Sequence, residues 1–349
     1  MNKRDTIKIF ICDLNWIYVE EKTCNPFIPN QIPSAPHDWA FINPKEYFDW
    51  TIDRGANAIW LQAYTFCGYA FYPTKLGAVA PGPGQELLPA IYEMCKKEKI
   101  PFHAYFCVGS DLIMTNMRDD WVLPGSRSHK SWYFPQGFLA PESPWTDLLC
   151  ERIEEFLKAY PSDWIFLDWF GYGSIKTDYP VQPAWFIKKP FKEIIGREMP
   201  EDASNITYEE NLKYKREILS RQFYKLKNTI NKTSPKTKIV FNMPYWNSYD
   251  PLWIDHPVMN ESDMLFAESS DENVVNWLLK VRKPNQRVMT TVLGRIDTEG
   301  LCDPNSWEKW YSLGCDIFGV AIPTPPDFRP PKYYSNQIKI IFNAFKKIK

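Results

Sequence analysis

The chain has 349 residues, with 41 basic against 42 acidic side chains and a net charge of −1. That balance, with no basic face or charge run, excludes nucleic acid and anionic membrane as natural partners, and no window approaches the ~20 apolar residues of a membrane span. Its 44% apolar content supports a large core, enough for two domains or for one α/β barrel with enlarged loops.

Residues 7–13 read as a first strand, because the apolar run is too short for a signal peptide and lacks a small-residue cleavage site. The eight cysteines, Cys12, Cys24, Cys67, Cys95, Cys107, Cys150, Cys302 and Cys315, form no C-x-x-C pair. Their scatter within apolar runs predicts free buried thiols, and with no export signal the expected location is cytoplasmic. A loop through Pro26, Pro29, Pro33 and Pro36 leads to a helix at 44–54, with Asn43 as N-cap and Pro44 at the first helical position. Residues 57–64 form a strand, 85–99 a helix after Gly82 and Gly84, and 101–108 a third strand. A long loop to about Glu142 precedes a helix at 143–160, begun by Ser143-Pro144.

The fourth strand is the most informative stretch. Trp164 to Leu167 are four apolar residues bounded by Asp163 and Asp168, and Asp168 is followed by Trp169, Phe170 and Gly171. So short an apolar run with polar ends reads as a strand buried on both faces. A carboxylate at its C-terminal end is costly to desolvate, so it needs a partner or a purpose.

An insertion at 170–206 follows, then a helix at 207–231 whose Thr207 and Glu210 have capping-box spacing. Strands at 238–242, 264–268, 287–293 and 316–322 alternate with a helical turn near 257–262 and helices at 271–282, 305–313 and 334–348. Eight strand-helix units predict an α/β fold, a single (β/α)8 barrel with long βα loops near 109–142 and 170–206. The alternative, a doubly wound open sheet, would carry a glycine-rich phosphate loop after the first strand, where this chain has Asp13-Leu14-Asn15-Trp16.

In a barrel the C-terminal strand ends surround one pocket. Those ends carry Asp13, Asn15 and Trp16; Gln62 and Tyr64; Ser110 and Asp111; Asp168 and Trp169; Asn242, Tyr245 and Trp246; Glu268; Arg295 and Asp297; Thr324 and Asp327. Carboxylates, amides and aromatics together suit a carbohydrate, whose C–H faces stack on rings while its hydroxyls need polar partners. Glycoside hydrolysis needs two carboxyl groups, about 5 Å apart for retention of configuration and roughly 6.5–9.5 Å for inversion. Asp168 and Glu268 are the expected catalytic pair. Glu268 could instead cap the next helix, but Ser269, Ser270 and Asp271 can do so without it. Asp13 and Asp111 compete for either role and are otherwise expected to bind substrate with Trp16, Gln62, Tyr64, Trp169, Asn242, Tyr245, Trp246 and Arg295. His103 is expected as a satisfied core residue, His37 and His256 as structural or exposed, and His129 as loop. No histidine has metal-ligand spacing, so no metal is assigned, and Gly171 to Ser174 lacks the frame of a serine nucleophile elbow.

The segments Ala56-Asn57-Ala58-Ile59, Tyr72-Pro73-Thr74-Lys75-Leu76, Asp120-Trp121, Pro141-Glu142-Ser143-Pro144-Trp145 and Phe166-Leu167-Asp168-Trp169-Phe170-Gly171-Tyr172 resemble, in order and spacing, the "hypothetical glycosyl hydrolase 6" type of barrel glycoside hydrolase. The chain is more distantly similar to α-L-fucosidases and α-galactosidases. That resemblance implies a (β/α)8 barrel, glycosidase chemistry without a cofactor, and Asp168 in the nucleophile position. It departs at the end of the sixth strand, where the α-galactosidase-like pattern has an Asp acid and this chain has Glu268. The expected function is therefore a glycosidase that removes a terminal sugar from a short oligosaccharide or glycoconjugate, with Asp168 as nucleophile and Glu268 as acid/base. An inactive carbohydrate-binding barrel is the alternative. A lyase or isomerase would want a Lys, His or metal that the strand ends scarcely offer. Near-zero net charge with many aromatics also leaves a homo-oligomer open.

Overall fold

The computed structural model describes residues 6–12, 14, 16–18, 31–33, 42–126, 137–172, 181–243, 251–291, 306–321 and 346. Its centre is a ring of eight parallel strands: β1 (Lys8–Cys12), β2 (Ile59–Tyr64), β3 (Phe102–Cys107), β4 (Trp164–Asp168), β5 (Lys238–Met243), β6 (Met264–Ala267), β7 (Arg287–Thr291) and β8 (Asp316–Ala321). They hydrogen-bond in the order β1-β8-β7-β6-β5-β4-β3-β2. A parallel bridge between Ile9 and Ala58, with Asn57 N–H donating to the Lys8 carbonyl at 2.9 Å, joins β2 back to β1. The fold is the expected (β/α)8 barrel.

The helices that follow the strands are α1 (Pro44–Asp53), α2 (Leu87–Glu98), α3 (Trp145–Ala159), α4 (Tyr208–Thr233), α5 (Pro257–Glu261), α6 (Glu272–Val281) and α7 (Ser306–Ser312). The closing helix expected at 334–348 lies outside the described residues except for Lys346, which is helical. No helix among the described residues is long and apolar enough to cross a membrane.

Both strand faces are buried, yet they belong to two separate apolar clusters, because successive side chains point to opposite sides of a strand. Trp60, Tyr105, Trp164, Phe166, Val240, Met264, Phe266 and Phe318 fill the barrel interior. Ile59, Ala104, Phe106, Ile165, Leu167, Ile239, Phe241 and Leu265 face the helices. Edge-to-face contacts recur in the interior, as between Phe166 and Phe266, 5.8 Å between centroids at 71°.

Local signals fixed several helix starts. Asn43 Oδ1 accepts from Lys45 N–H and Glu46 N–H at 2.9 and 3.2 Å, with Pro44 leading α1. Thr207 and Glu210 form a reciprocal capping box at the start of α4. Asp271 caps α6 through Asn273 N–H and Val274 N–H, so Glu268 is free of that duty. A helix not foreseen in the 170–206 insertion, Trp185–Ile195, contains Pro190. It persists because Phe186, Ile187 and Phe191 bury one face against the core, and packing outweighs the loss of one backbone hydrogen bond.

Around the β2 and β3 ends, α3 carries Arg152, only 2% exposed. Its Nη1 donates to Asp111 Oδ2 at 2.6 Å, its Nε donates to the Leu76 carbonyl at 3.0 Å, and its guanidinium lies 4.3 Å above the Tyr64 ring. Asp111 Oδ1 also caps the short helix Leu112–Met117 through Met114 N–H. At Gly68, φ +92, an added Cβ would sit 2.2 Å from Asp111 Oδ1, so this turn requires glycine. The ion pair thus ties two βα loops to a helix. Removing one member of such a pair strands a buried charge, so Arg152→Ala is expected to cost about 3–5 kcal/mol of unfolding free energy. Urea denaturation at neutral pH measures it, and a loss below about 1 kcal/mol would show that water replaces the guanidinium freely.

Candidate active site

The alternation of the strands sets which side chains reach the mouth. In β4, Trp164 and Phe166 point inward, so Asp168 does too; the same count places Asn242 beyond Val240 in β5, and Glu268 beyond Phe266 at the end of β6. These three residues meet. Asn242 Nδ2 donates one hydrogen to Asp168 Oδ1 at 2.6 Å and the other to Glu268 Oε1 at 2.8 Å. The two carboxyl oxygens therefore lie within the reach of two hydrogen bonds, about 5.4 Å, of one another. Two acceptors on one side fix the amide orientation, since the opposite flip would set Oδ1 against both carboxylates. Asn242 Oδ1, turned away, is buried without a partner among the described residues.

Asp168 is 9% exposed and Glu268 is exposed. Asp168 Oδ1 also accepts Trp169 N–H at 2.7 Å, and Oδ2 accepts the Tyr105 hydroxyl at 2.8 Å. Burial first, and then the charge of Glu268, raise the Asp168 carboxyl to about 8, while the three donors pull it back toward ionisation. Trp169 adopts φ +52, a strained conformation for a side-chain-bearing residue, and this bends its N–H back onto the carboxylate. Its carbonyl passes so close to Gly109 that a Cβ there would lie 2.4 Å away. Cys107, the register partner of Asp168, has a thiol pushed well up by burial, so it does not serve as a nucleophile.

The other expected site residues divide. Tyr64 is displaced from the mouth by a register shift between Gln62 and Tyr64, which turns it into the helix-facing cluster, where its hydroxyl donates to Thr74. Gln62 is fully buried, and Asp111 is held by Arg152 and its helix cap. Trp169 flanks the pair, with its ring 6.3 Å from Phe138. Asp13, Tyr245, Trp246 and Arg295 lie outside the described residues, as do the side chain of Trp16 and the loop histidines His37 and His129. His256 is structural: its Nδ1 accepts Val258 N–H and caps α5, and its Nε2 hydrogen points at the Arg216 carbonyl, 2.9 Å away. His103 is a core residue, as expected, but not a satisfied one. Both ring nitrogens lack a partner among the described residues, and burial lowers the imidazole to about 3, which keeps it neutral beside Trp164. Cys95, Cys107, Cys150 and Cys315 are free and buried, and Cys67 is buried.

Two features escape a reading of strand ends. Tyr105 sits one full strand period before Cys107, so it projects inward from below the rim and meets Asp168 from underneath. Only the period-two count along β3 could have found it. Glu142 Oε1 receives the hydroxyls of Tyr172 and Tyr214, at 2.7 and 2.5 Å, joining the β3 and β4 loops to α4. Burial raises this carboxyl to about 7 against those two donors. Among the described residues, no group of three His, Cys, Asp or Glu is placed to hold a metal ion.

No protein-family model and no curated protein matches the chain, so the "hypothetical glycosyl hydrolase 6" resemblance gains no support. Solved structures do match in fold. With α-L-fucosidase isoenzyme 2 from Paenibacillus thiaminolyticus the TM-score is 0.67 at 17% identity, over 90% of this chain and 48% of that one. A GH29 α-L-fucosidase from Bacteroides thetaiotaomicron, trapped as a covalent intermediate in complex with 2-fluoro-fucosyl fluoride, gives 0.50 at 12% identity, over 89% and 62%. The α-L-fucosidase AlfC of Lactobacillus casei, in a fucosyltransferase mutant, gives 0.50 at 12%, over 90% and 82%. The chain spans about half the length of the Paenibacillus enzyme. At such identities the likeness is one of fold.

The buried carboxyl has a consequence for stability. Burial and the charge of Glu268 raise the carboxyl, so the Asp168–Glu268 pair keeps a proton in the native state that the unfolded chain releases. The contribution is fully present below about pH 4 and is lost as pH rises toward 8. In Asp168→Asn the side-chain oxygen still accepts Trp169 N–H and Asn242 Nδ2, and the new amide donates to the Tyr105 oxygen, whose own hydrogen turns to another acceptor. The variant is expected to melt above the wild type at about pH 8.5, with the advantage fading toward pH 4. Thermal melts at both values measure this, and an advantage independent of pH contradicts it.

Proposed function

We propose that the chain is a retaining glycosidase that removes a terminal sugar from a short oligosaccharide or glycoconjugate, with Asp168 as nucleophile and Glu268 as acid/base. The observation that carries this is the Asn242 amide joined to both carboxyls, which keeps them within about 5.4 Å. Retaining enzymes hold their carboxyls roughly 5–5.5 Å apart, whereas inversion needs room for a water at roughly 6.5–9.5 Å.

The roles follow from the surroundings. Asp168 accepts three hydrogen bonds, the arrangement that favours an ionised carboxylate. Its Oδ2 accepts one donor against two at Oδ1 and so keeps a lone pair free to attack the anomeric carbon. Glu268 lies at the exposed rim, where a leaving group departs and water arrives. In the first half-reaction, Asp168 Oδ2 forms a bond to the anomeric carbon as the glycosidic bond breaks, and the Glu268 proton passes to the departing oxygen. In the second, Glu268 takes a proton from water, the water oxygen bonds to the anomeric carbon, and the ester to Asp168 breaks. One proton shared by two close carboxyls is the state the cycle starts from, and their mutual repulsion favours it.

The solved structures of similar fold are named as α-L-fucosidases, which supports an α-L-fucoside as the first substrate to try. Asp168→Asn is expected to lower turnover of an aryl glycoside by at least ~10³-fold. Glu268→Gln should lose about 10²–10⁴-fold on substrates with poor leaving groups and far less on activated aryl glycosides, whose leaving group needs no proton. A 2-fluoro glycosyl fluoride should label the peptide containing Asp168, read by mass spectrometry. Full activity in Asp168→Asn, or a label on another residue, would overturn the assignment, and an inactive binding barrel would show neither turnover nor label.

A further inference from the structure

Among the described aromatics of the βα loops, Trp185 stands apart. It opens the helix Trp185–Ile195 in the β4 insertion, and its side chain is 61% exposed, whereas Phe186 and Phe191 of the same helix are 5% and 0% exposed. The helix thus had a buried face available, and Trp185 is not on it. Exposure does not leave the ring loose: its Nε1 donates to the Asp120 carbonyl at 3.1 Å, which pins the indole to the β3 loop. The polar atom of the indole is already used, so the ring offers only its apolar faces.

Its neighbours along that loop are unusual for a bare apolar spot. Arg118 donates to Asp120 through Nε and Nη2, at 2.9 and 2.8 Å, in a two-pronged pair that stays about half exposed. The guanidinium lies 4.0 Å over the Trp121 ring, so the fork is flat and fixed, and Met117 beside it is 69% exposed. A connected path leads from here to the carboxyl pair. Ala140 N–H donates to the Trp121 carbonyl, Leu123 N–H to that of Phe138, and the Phe138 ring neighbours Trp169, which bonds Asp168.

A rigid exposed ring face beside a planar array of hydrogen-bond donors and acceptors, on the rim that holds the strand-end carboxyls, matches a pyranose ring. The C–H face of the sugar covers the indole, and its equatorial hydroxyls meet the Arg118–Asp120 fork. Trp, Met and Arg are also common at protein interfaces, but a carboxylate against the central ring is not, and the Asp120 oxygens can accept from sugar hydroxyls. We infer that Trp185, with Met117 and the Arg118–Asp120 fork, forms a distal subsite that stacks a pyranose unit of the substrate beyond the sugar that is cleaved. This inference rests on the glycosidase reading only for which end of the substrate is cut.

The test reads binding separately from turnover. In the Asp168→Asn background, proteins carrying Trp185, Trp185→Ala and Trp185→Tyr are applied to a microarray of fucosylated, galactosylated and xylosylated oligosaccharides. The strongest ligands of three or more units are then followed by calorimetry. Trp185→Ala is expected to weaken these by about 10-fold, and Trp185→Tyr, which keeps a stacking face, to return within about 3-fold. Equal affinities in Trp185 and Trp185→Ala proteins would overturn the subsite, as would a wild-type surface that binds no oligosaccharide. A change seen only as a dimer becoming a monomer in sedimentation would assign the patch to self-association and overturn it equally. Aryl-glycoside turnover by the unsubstituted protein decides the glycosidase reading independently of all three.

Discussion

In a closed ring of eight parallel strands, every second side chain has to point at the barrel axis, and this constraint decides which polar residues meet at the barrel mouth. Inward positions are filled with apolar side chains, many of them aromatic, until the strands end, and the residues one period further on are Asp168, Asn242 and Glu268. The three come from adjacent strands, β4, β5 and β6, so their side chains converge without help from a loop. An element on a rigid strand end is held more closely than one on a loop. Here the central strand supplies the amide that keeps its two acidic neighbours together.

That convergence is unfavourable taken alone. Two carboxyls share a small, partly desolvated space, and Trp169 is held at positive φ. The surroundings offset this with directed donors: the amide of Asn242, the hydroxyl of Tyr105 and the backbone N–H made available by the strained turn. Strain and burial are thus concentrated at one strand end, with donors aimed at it. Elsewhere the same fold uses buried charge for cohesion. Arg152 and Asp111 lock the β2 and β3 loops, and Glu142 gathers tyrosines from the β4 loop and α4.

Much of this was legible along the chain, for local reasons. The Asn43-Pro44 start, the Thr207–Glu210 box and the Asp271 cap are interactions within four residues, so sequence spacing alone defines them. Strand positions held to within a residue or two because a run of apolar residues between polar ends has few other folds. The helix Trp185–Ile195 was not legible: Pro190 argues against a helix, and the packing of Phe186, Ile187 and Phe191 that outweighs it involves residues distant in sequence. Tyr64 was misplaced for a different cause. A bulge shifts the register by one residue, and parity then reverses, sending the ring to the helices. His103 was rightly assigned to the core, but whether its nitrogens find partners depends on neighbours from other strands.

The sequence by itself determined the alternation of eight strands and helices, and it marked Asp168, Glu268 and Asn242 as strand-end residues, because these are properties of short windows with a fixed period. It did not contain the distances. That one amide reaches both carboxyls, that Tyr105 meets Asp168 from beneath, and that Asp111 is taken up by Arg152 were decided only when the ring closed and brought together residues some 26 to 74 positions apart. Closure fixes strand stagger and tilt together, and those two quantities set which inward side chains share a layer.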